Sequence, residues 1–508
     1  MKRSEFLRQL GLVTGGVAFG MDGVAGRAFA HNPFMLDLAG TNGSILVLVQ
    51  LQGGNDGLNT VVPFEDAAYY QKRATVNIKK EEALRLTDTL GLHPSLAGFR
   101  RLFDEDKLSV VNNVGYPSPN RSHFRSTDIW LSGSDANQYL TDGWVGRYLT
   151  SVYSDYPAKL PEQPMAIQLG SVESLLMLSQ VGTTATVFND PNEFYQLVNG
   201  STADNDPPPA TMAGEELRLL KQIAAQSIQY SGVIKEKADK GKNTITYPST
   251  NLGRQLGIVA KLISGGGSTP VYLTTIGGFD THANQLTQHA NLLKQVSDAV
   301  VAFQSDLEKQ GIAEKVTLMT FSEFGRRLPQ NGTTGTDHGT AAPLFVMGKT
   351  VRGGVLGGNP SLTDLDSSGD IKFKHDFRQV YTSVLRDHLG MSDVDAKAVL
   401  GGKDFQKLPI FRTSIEAPSA NTLFGLAQNF PNPAVGLTKI RYDVYKPQAI
   451  RLSLFDLQGQ ELMVLKDAFT DTGTYAATVD ASTLPAGFYL YSLQGEGARQ
   501  TKRMVVQR

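Results

Sequence analysis

The sequence VYLTTIGGFDTHANQ at residues 271–285 begins with a short apolar run and continues into a loop of polar side chains. The same order recurs in VTLMTFSEFGR at residues 316–326, and GTDHGTAAPLFVMG follows at residues 335–348. These loops carry five residues of the types that bind metal ions: Asp280, His282, Glu323, Asp337 and His338. Ligands bind at the carboxyl ends of the strands in an open α/β sheet. The stretches therefore predict an α/β fold with a metal-dependent hydrolase site at one edge of its sheet.

Length and composition restrict the classes of protein to which this chain can belong. Its 508 residues predict two or more domains, because one domain usually has about 100–200 residues. Lys and Arg (48) nearly balance Asp and Glu (49), and no basic cluster is present that would attract nucleic acid. We therefore predict no nucleic-acid partner. Cysteine is absent, so any metal would be held by imidazole and oxygen ligands.

The amino terminus has the pattern of an export signal. KRSEFLR at residues 2–8 supplies basic residues before a weakly apolar segment, and AFA at residues 28–30 has the small-x-small pattern of a cleavage site. Asp22 and Arg27 interrupt the apolar segment well short of the roughly 20 residues that a membrane span requires. We expect a cleaved signal at residues 1–30 and no transmembrane span. KRSEFLR resembles the twin-arginine motif but has only one of its two arginines, so both export routes stay open.

Two earlier strand-and-loop units carry further candidate residues. Apolar residues at 45–51 predict a buried parallel strand, and Asp56 lies in the turn after it. Asp56 would be a turn-forming residue or, at the sheet edge, a metal ligand. In LSVVNNVGYPSPNRSHFRSTDIW, residues 108–130, Ser122 lies where a helix begins and is an N-cap or a nucleophile. The adjacent His123 is a metal ligand, a base or a packed core residue.

The carboxyl-terminal part has a different pattern. Short alternating segments such as KIRYDV, IRLSLFD and FYLYSLQ are separated by Gly, Pro and Asp turns. This pattern predicts an all-β, immunoglobulin-like sandwich of about seven strands. We expect this sandwich at residues 427–508, an α/β domain at residues 31–412 and a linker at residues 413–426.

The α/β region resembles the alkaline phosphatase and sulfatase superfamily in the order of its candidate residues. Within that superfamily it is similar to the secreted bacterial group called domain of unknown function 1501. Five motifs carry the resemblance: LQGGNDGLNTVVP, PNRSHFRSTDIW, GGFDTHANQ, TFSEFGRR and TDHGTAAP. It extends from Ser44 to about Phe411 and implies an alkaline-phosphatase-like central, mostly parallel sheet flanked by helices.

The resemblance also implies a role for each candidate residue. The implied metal ligands are Asp56 and Glu323 for one ion, and Asp280, His282 and His338 for another. Ser122 is the implied nucleophile. Arg121, Arg125 or Arg326 would bind the remaining anionic oxygens or form surface ion pairs. The metal would be one or two zinc ions, with manganese, magnesium or calcium as alternatives.

Two departures from the superfamily pattern affect the metal site. Glu323-Phe324 stands where the superfamily usually has Asp-His, so one imidazole of the second site is missing. The Asp-to-His spacing in GGFDTHANQ is also shorter than in the well-studied phosphatases. The chain would then hold one metal, hold a second one weakly or have lost catalysis, and His123 or Asp337 would restore a ligand.

The carboxyl-terminal domain resembles the type A sorting domain of the type IX secretion system. The motifs NFPNP, LFDLQGQ and LPAGFY and the basic final strand carry this resemblance. It implies that the type IX machinery recognises residues 427–508 and that the protein is exported through the periplasm and outer membrane. The expected location is the cell surface or the medium.

Two functions are consistent with these residues. One is a secreted metal-dependent hydrolase of small anionic esters, in which a serine hydroxyl or a water activated by the metal attacks in line. The alternative is a noncatalytic cell-surface scaffold protein that retains a degenerate hydrolase fold. The residues do not distinguish phosphate from sulfate esters.

Overall fold

The central sheet of the computed structural model has nine strands and contains the stretches quoted above. The structure describes residues 43–202, 206–209, 211–412, 424–426, 429, 432–456, 459–496 and 498–507. The predicted export signal at residues 1–30 lies outside these ranges. The chain divides into two units between Arg412 and Thr413, and each unit is described by itself. Within the described ranges, no helix combines the length and the apolar character needed to cross a membrane.

The first unit has sixteen described strands, β1 to β16 in chain order: Ile45–Leu51, Val61–Val62, Leu84–Arg85, Gly91–Leu92, Leu108–Gly115, Ala166–Leu169, Leu178–Ser179, Gly182–Thr183, Ala185–Phe188, Val271–Ile276, Val316–Phe321, Arg326–Gln330, Thr336–His338, Ala342–Gly348, Gly354–Leu356 and His375–Asp376. Its described α-helices are α1 to α11: Gly57–Thr60, Ala67–Lys72, Ala97–Asp104, His123–Ser132, Trp144–Val152, Pro191–Val198, Met212–Lys240, Asn251–Ser264, Gln285–Lys309, Phe377–Ser383 and Asp393–Val399. A π-helix, Val384–His388, continues α10, and short 3-10 helices are Pro94–Leu96, Leu175–Met177 and Ala313–Lys315.

The nine-stranded sheet has the order β15-β5-β14-β11-β1-β10-β6-β9, and β16 also pairs with β5. β1 lies between β10 and β11 and is parallel to both. β14 is antiparallel to β11 and to β5, whereas the remaining pairs are parallel. The prediction of a central, mostly parallel sheet flanked by helices is therefore confirmed.

The sequence of β1 explains why it occupies the middle of the sheet. All seven of its residues are buried, and successive side chains of a strand point to opposite faces. Val47 and Val49 belong to the core on one face, whereas Leu46 and Leu48 belong to the core on the other. α8 and α9 contribute to the first core, and α4, α5 and α10 contribute to the second. Both faces are thus covered, as a continuous apolar strand requires.

The strand directions bring the loops of candidate residues to one edge of the sheet. β1, β10 and β11 run in the same direction. β5 also runs in this direction, because it is antiparallel to β14, and β14 is antiparallel to β11. The carboxyl ends of these four strands therefore share one edge. The amino end of β14, which follows the β12–β13 hairpin, lies at the same edge.

The second unit has seven described strands, β17 to β23: Phe424–Leu426, Leu437–Val444, Gln448–Phe455, Glu461–Thr470, Gly473–Asp480, Gly487–Gly495 and Ala498–Val506. They form two antiparallel sheets, β17-β18-β21 and β20-β19-β22-β23, whose side chains share one core. The predicted all-β sandwich is confirmed. The sequence assigns Phe424–Leu426 to the linker, but this segment pairs with β18 because Phe424 and Leu426 are buried in that core.

Candidate metal centre

Side chains from separate loops meet around Oδ1 of Asp280 at this edge of the sheet. Asp280 and His282 follow β10, His338 ends β13, and His123 begins α4. Oδ1 of Asp280 lies 3.1 Å from Nε2 of His282 and 3.1 Å from Nε2 of His338. Nε2 of His123 is 3.4 Å from the same oxygen. Three of the predicted ligands are thus brought together, and His123 joins them.

Each of the three imidazoles is oriented by a hydrogen bond on its other nitrogen. Nδ1 of His282 lies 3.0 Å from Oδ1 of Asp337. Nδ1 of His338 lies 2.8 Å from the carbonyl oxygen of Arg121, and Nδ1 of His123 lies 2.8 Å from Oε1 of Glu323. Ionised carboxylate and carbonyl oxygens only accept hydrogen bonds, so each Nδ1 carries a proton and donates it. When the rings are neutral, each Nε2 presents a lone pair toward Asp280.

This set of donor atoms fits a divalent cation. Nε2 of His282 lies 2.9 Å from Nε2 of His338, so the two nitrogens either share a proton in a hydrogen bond or face a common cation. Nε2 of His123 is buried and has no hydrogen-bond partner among the described residues. Imidazole nitrogens with one carboxylate oxygen are ligands that zinc accepts, and imidazole also suits copper, iron and nickel.

Arg326 keeps Asp280 ionised. Its buried guanidinium donates from Nη2 to Oδ1 of Asp280 at 2.7 Å. Burial by itself raises the pKa of Asp280, but the hydrogen bond and charge of Arg326, followed by the contributions of His338 and His282, lower that pKa to about 2. Arg326 also donates to the carbonyl oxygens of Gly54 and Thr336. It therefore holds the loops of the site together, and it forms an ion pair, which is one of the two roles considered for it from the sequence.

Asp56 forms a buried ion pair instead of joining the imidazoles. As the N-cap of α1, one of its oxygens accepts from the backbone N–H groups of Leu58 and Asn59. The other accepts from Arg73 at 2.6 Å and from Gln285. Burial opposes ionisation of Asp56, yet Arg73 lowers its pKa. Because α1 begins directly after Asp56, the carboxylate caps this helix and both of its oxygens accept hydrogen bonds from the protein.

Phe324 forms an apolar wall beside the imidazoles. Its side chain is 2% exposed, and its ring centroid lies 4.9 Å from that of His123 and 4.7 Å from that of His338. Gly54 has a φ of +75°, and a Cβ at this position would lie 2.2 Å from Cε2 of Phe324. The ring therefore fills the space against Gly54 and supplies no ligand at the position where the resemblance implies an imidazole.

Ser122 and the arginines near it lie in different environments. Ser122 is exposed at the N-cap of α4, where its side chain makes no capping hydrogen bond. The guanidinium of Arg121 donates to Asp370 at 2.8 Å. Arg125 is buried and donates to the carbonyl oxygen of Asp135 at 3.1 Å. Both arginines are thus engaged with the protein itself.

The structure assigns some side chains to contacts that the sequence did not indicate. Asp337, expected as a ligand, orients His282 through Nδ1. Arg73 forms an ion pair with Asp56, and no local sequence pattern indicates this pair. The contact depends on how α1 packs against the segment after α2. The position of His123 directly after Ser122 was the only sequence signal for its place in the cluster.

Several solved structures are similar to this chain. A Bacteroides thetaiotaomicron protein, described with the metabolism of multiple glycosaminoglycans, is 10% identical over 87% of this chain and 90% of that chain, with a TM-score of 0.35. A sulfatase from Pseudoalteromonas sp. is 11% identical over 88% of each chain, with a TM-score of 0.31. A protein in the alkaline phosphatase superfamily from Vibrio parahaemolyticus is 9% identical over 93% of this chain and 92% of that chain, with a TM-score of 0.31. No curated protein matches significantly in sequence.

Two sequence families match the chain. Residues 428–507 match the secretion system C-terminal sorting domain, which indicates export to the cell surface or secretion. Residues 112–400, more than half of the chain, match the family described as Protein of unknown function (DUF1501). The chain belongs to this family and carries a type IX sorting domain at its carboxyl terminus.

Proposed function

We propose that the first unit is a metal-dependent hydrolase of phosphate or sulfate esters that acts outside the cell. The observation that carries this proposal is the convergence of the Nε2 atoms of His282 and His338 on the Asp280 carboxylate. The residues come from loops at the edge of an α/β sheet where ligands bind. The sorting domain accounts for the location, since it directs export.

The ligands would be Asp280, His282 and His338. A divalent metal, when bound, supplies a Lewis acid and lowers the pKa of a coordinated water or hydroxyl group. Asp337 holds the proton of His282 on Nδ1 and so keeps Nε2 available, as acceptors behind metal-binding histidines commonly do. Arg326 keeps the Asp280 carboxylate ionised.

Ser122 is the proposed nucleophile, with a water molecule as the alternative. Its hydroxyl is exposed and does not cap α4, and it is the residue before His123. The amino terminus of the ten-residue α4 offers unpaired backbone N–H groups that favour an anion. A small ester with a phosphate or sulfate group is therefore the proposed substrate.

Metal analysis and ester hydrolysis by the purified full-length protein test this proposal. We expect bound metal, and turnover of aryl phosphate or aryl sulfate that is lost in His282→Ala. His375→Ala is the matched control, because His375 is a partly buried histidine in β16 outside the cluster. A protein that binds no metal after incubation with zinc, manganese or cobalt contradicts the proposal.

The second candidate function is a noncatalytic surface scaffold. The observation that favours it is that Arg121, Arg125 and Arg326 are each engaged by other groups of the protein. A scaffold of this kind would bind metal with the same ligands but would hydrolyse none of the esters. Metal binding without turnover, across both phosphate and sulfate esters, would therefore favour the scaffold.

A further inference from the structure

We propose that His123 is a fourth ligand of the metal and that Glu323 is its positioning residue. The chain would then hold a single ion with three imidazoles and one carboxylate. This inference rests on the metal-binding part of the proposed function and is independent of hydrolysis. It changes the role that the resemblance implies for Glu323, which was a ligand of a separate ion.

The environment of His123 supports its role as a ligand. Nε2 is buried without a hydrogen-bond partner in the described part of the chain, which is costly for a polar atom unless something else satisfies it. It lies 3.4 Å from Oδ1 of Asp280, and its ring centroid is 4.4 Å from that of His338. The ligand atoms of His123, Asp280 and His338 all lie within 4.8 Å of one another. A cation beside these atoms would satisfy Nε2.

The contacts of Glu323 point to positioning instead of coordination. The side chain is 4% exposed, and Oε1 accepts from Nδ1 of His123 at 2.8 Å and from the backbone N–H of Gly53 at 2.8 Å. Oε2 lies 3.2 Å from the hydroxyl of Ser322, whose single proton is also directed to the carbonyl oxygen of Leu51 at 2.7 Å. Oε1, the oxygen that faces His123, is therefore used by two protein donors. An acceptor on Nδ1 fixes the ring orientation and increases the basicity of Nε2.

Phe324 explains why a single ion is expected. The ring packs against His123 and His338 and fills the space in front of Gly54. Asp56, the other implied ligand of a second ion, is neutralised by Arg73. The residues that the resemblance implies for the second ion are thus a phenylalanine, an ion-paired aspartate and a glutamate bound to His123.

Metal titration of the full-length protein, with a competing chelator, tests the inference. We expect one zinc ion per chain. His123→Ala should weaken zinc affinity by more than about 100-fold and Glu323→Gln by about 10–100-fold, since the second value is typical of groups that orient a ligand. His282→Ala is the reference for loss of a ligand, and His375→Ala is the control. The visible absorption of the cobalt-loaded protein should change in His123→Ala, because it responds to the number and type of ligands.

The outcomes separate this inference from the proposed function. If the unaltered protein binds no metal, the proposed function fails as well. If His282→Ala loses metal while His123→Ala keeps the affinity and the cobalt spectrum of the unaltered protein, only the assignment of His123 is overturned. Thermal unfolding of each variant without metal shows whether a lost affinity reflects a lost fold, and a two-ion stoichiometry would also contradict the inference.

Discussion

At the scale of single residues, the positions of the three imidazole protons decide what the cluster can bind. Each imidazole donates from Nδ1 to an oxygen that can only accept, so in a neutral ring Nε2 is left with its lone pair. With the protons on Nε2, the same rings would repel a cation. The acceptors Asp337, Glu323 and the carbonyl of Arg121 therefore matter as much as the rings, although none of them contacts Oδ1 of Asp280.

Asp337→Asn should weaken metal binding without removing a ligand. The substitution removes the negative charge behind His282, and changes of this kind cost about 10–100-fold in metal affinity. Competition with a chelator measures this loss. Asp364→Asn is the matched control, because Asp364 is an exposed aspartate that pairs with Lys372. Equal affinities of the two variants would show that Asp337 does not orient His282 in solution.

Asp56→Ala should destabilise the fold and leave metal affinity unchanged. It leaves the fully buried guanidinium of Arg73 unpaired, and removing one partner of a buried ion pair costs about 3–5 kcal/mol. Urea unfolding of the metal-free protein measures the free energy of unfolding, and metal titration measures affinity. A variant of normal stability that loses metal would restore Asp56 as a ligand.

The sequence indicated which side chains come together better than it indicated their hydrogen-bond partners. Asp280, His282 and His338 were recognised because each follows or precedes a strand, and strand ends meet at one edge. The roles of Asp56 and Asp337 were not predictable, because a carboxylate in a turn looks the same whether it faces a metal, a helix terminus or a histidine. Only the packing of α1 and the β12–β13 hairpin distinguishes these cases.

At the scale of elements, a close approach between two loops holds His282 in place. A Cβ on Gly335 would lie 2.2 Å from the carbonyl carbon of His282, so this position has no room for a side chain. The hairpin that carries Asp337 and His338 can therefore contact the loop after β10 directly. The sequence showed a glycine-rich loop here but not which glycine makes the contact.

Gly335→Ala should displace His282 and weaken metal binding, whereas Gly332→Ala should not. Gly332 lies in the same loop, and a Cβ on it would have no neighbour within 4 Å. Metal affinity and thermal midpoint of the two variants, measured side by side, check this difference. The same result for both would mean that the loops do not approach each other as closely as described.

At the scale of the whole molecule, buried neutral histidines make stability depend on pH. Burial lowers the pKa of His93 to about 4, of His388 to about 4 and of His289 to about 3. Their pKa in the unfolded chain is about 6.5. Below that value the unfolded chain binds protons that the folded chain does not, so stability falls with pH until the folded pKa is reached.

The free energy of unfolding should therefore decrease below about pH 6.5, by up to about 1.4 kcal/mol per pH unit for each of these histidines. Urea unfolding between pH 7.5 and 4.5 measures this, with a chelator present so that loss of metal does not contribute. His388→Gln should reduce the slope, because its amide can replace the hydrogen bonds to Thr317 and Ile45. A stability that is constant down to pH 5 would contradict this account.

The donors of the centre come from parts of the chain that are more than 200 residues apart, from His123 to His338. The chain has no cysteine, whereas many secreted proteins are stabilised by disulfide bonds. An ion coordinated by these side chains would bind the folded chain and not the unfolded one. It would therefore stabilise the fold as a reversible cross-link. The lifetime of the folded protein outside the cell would then depend on the metal concentration there.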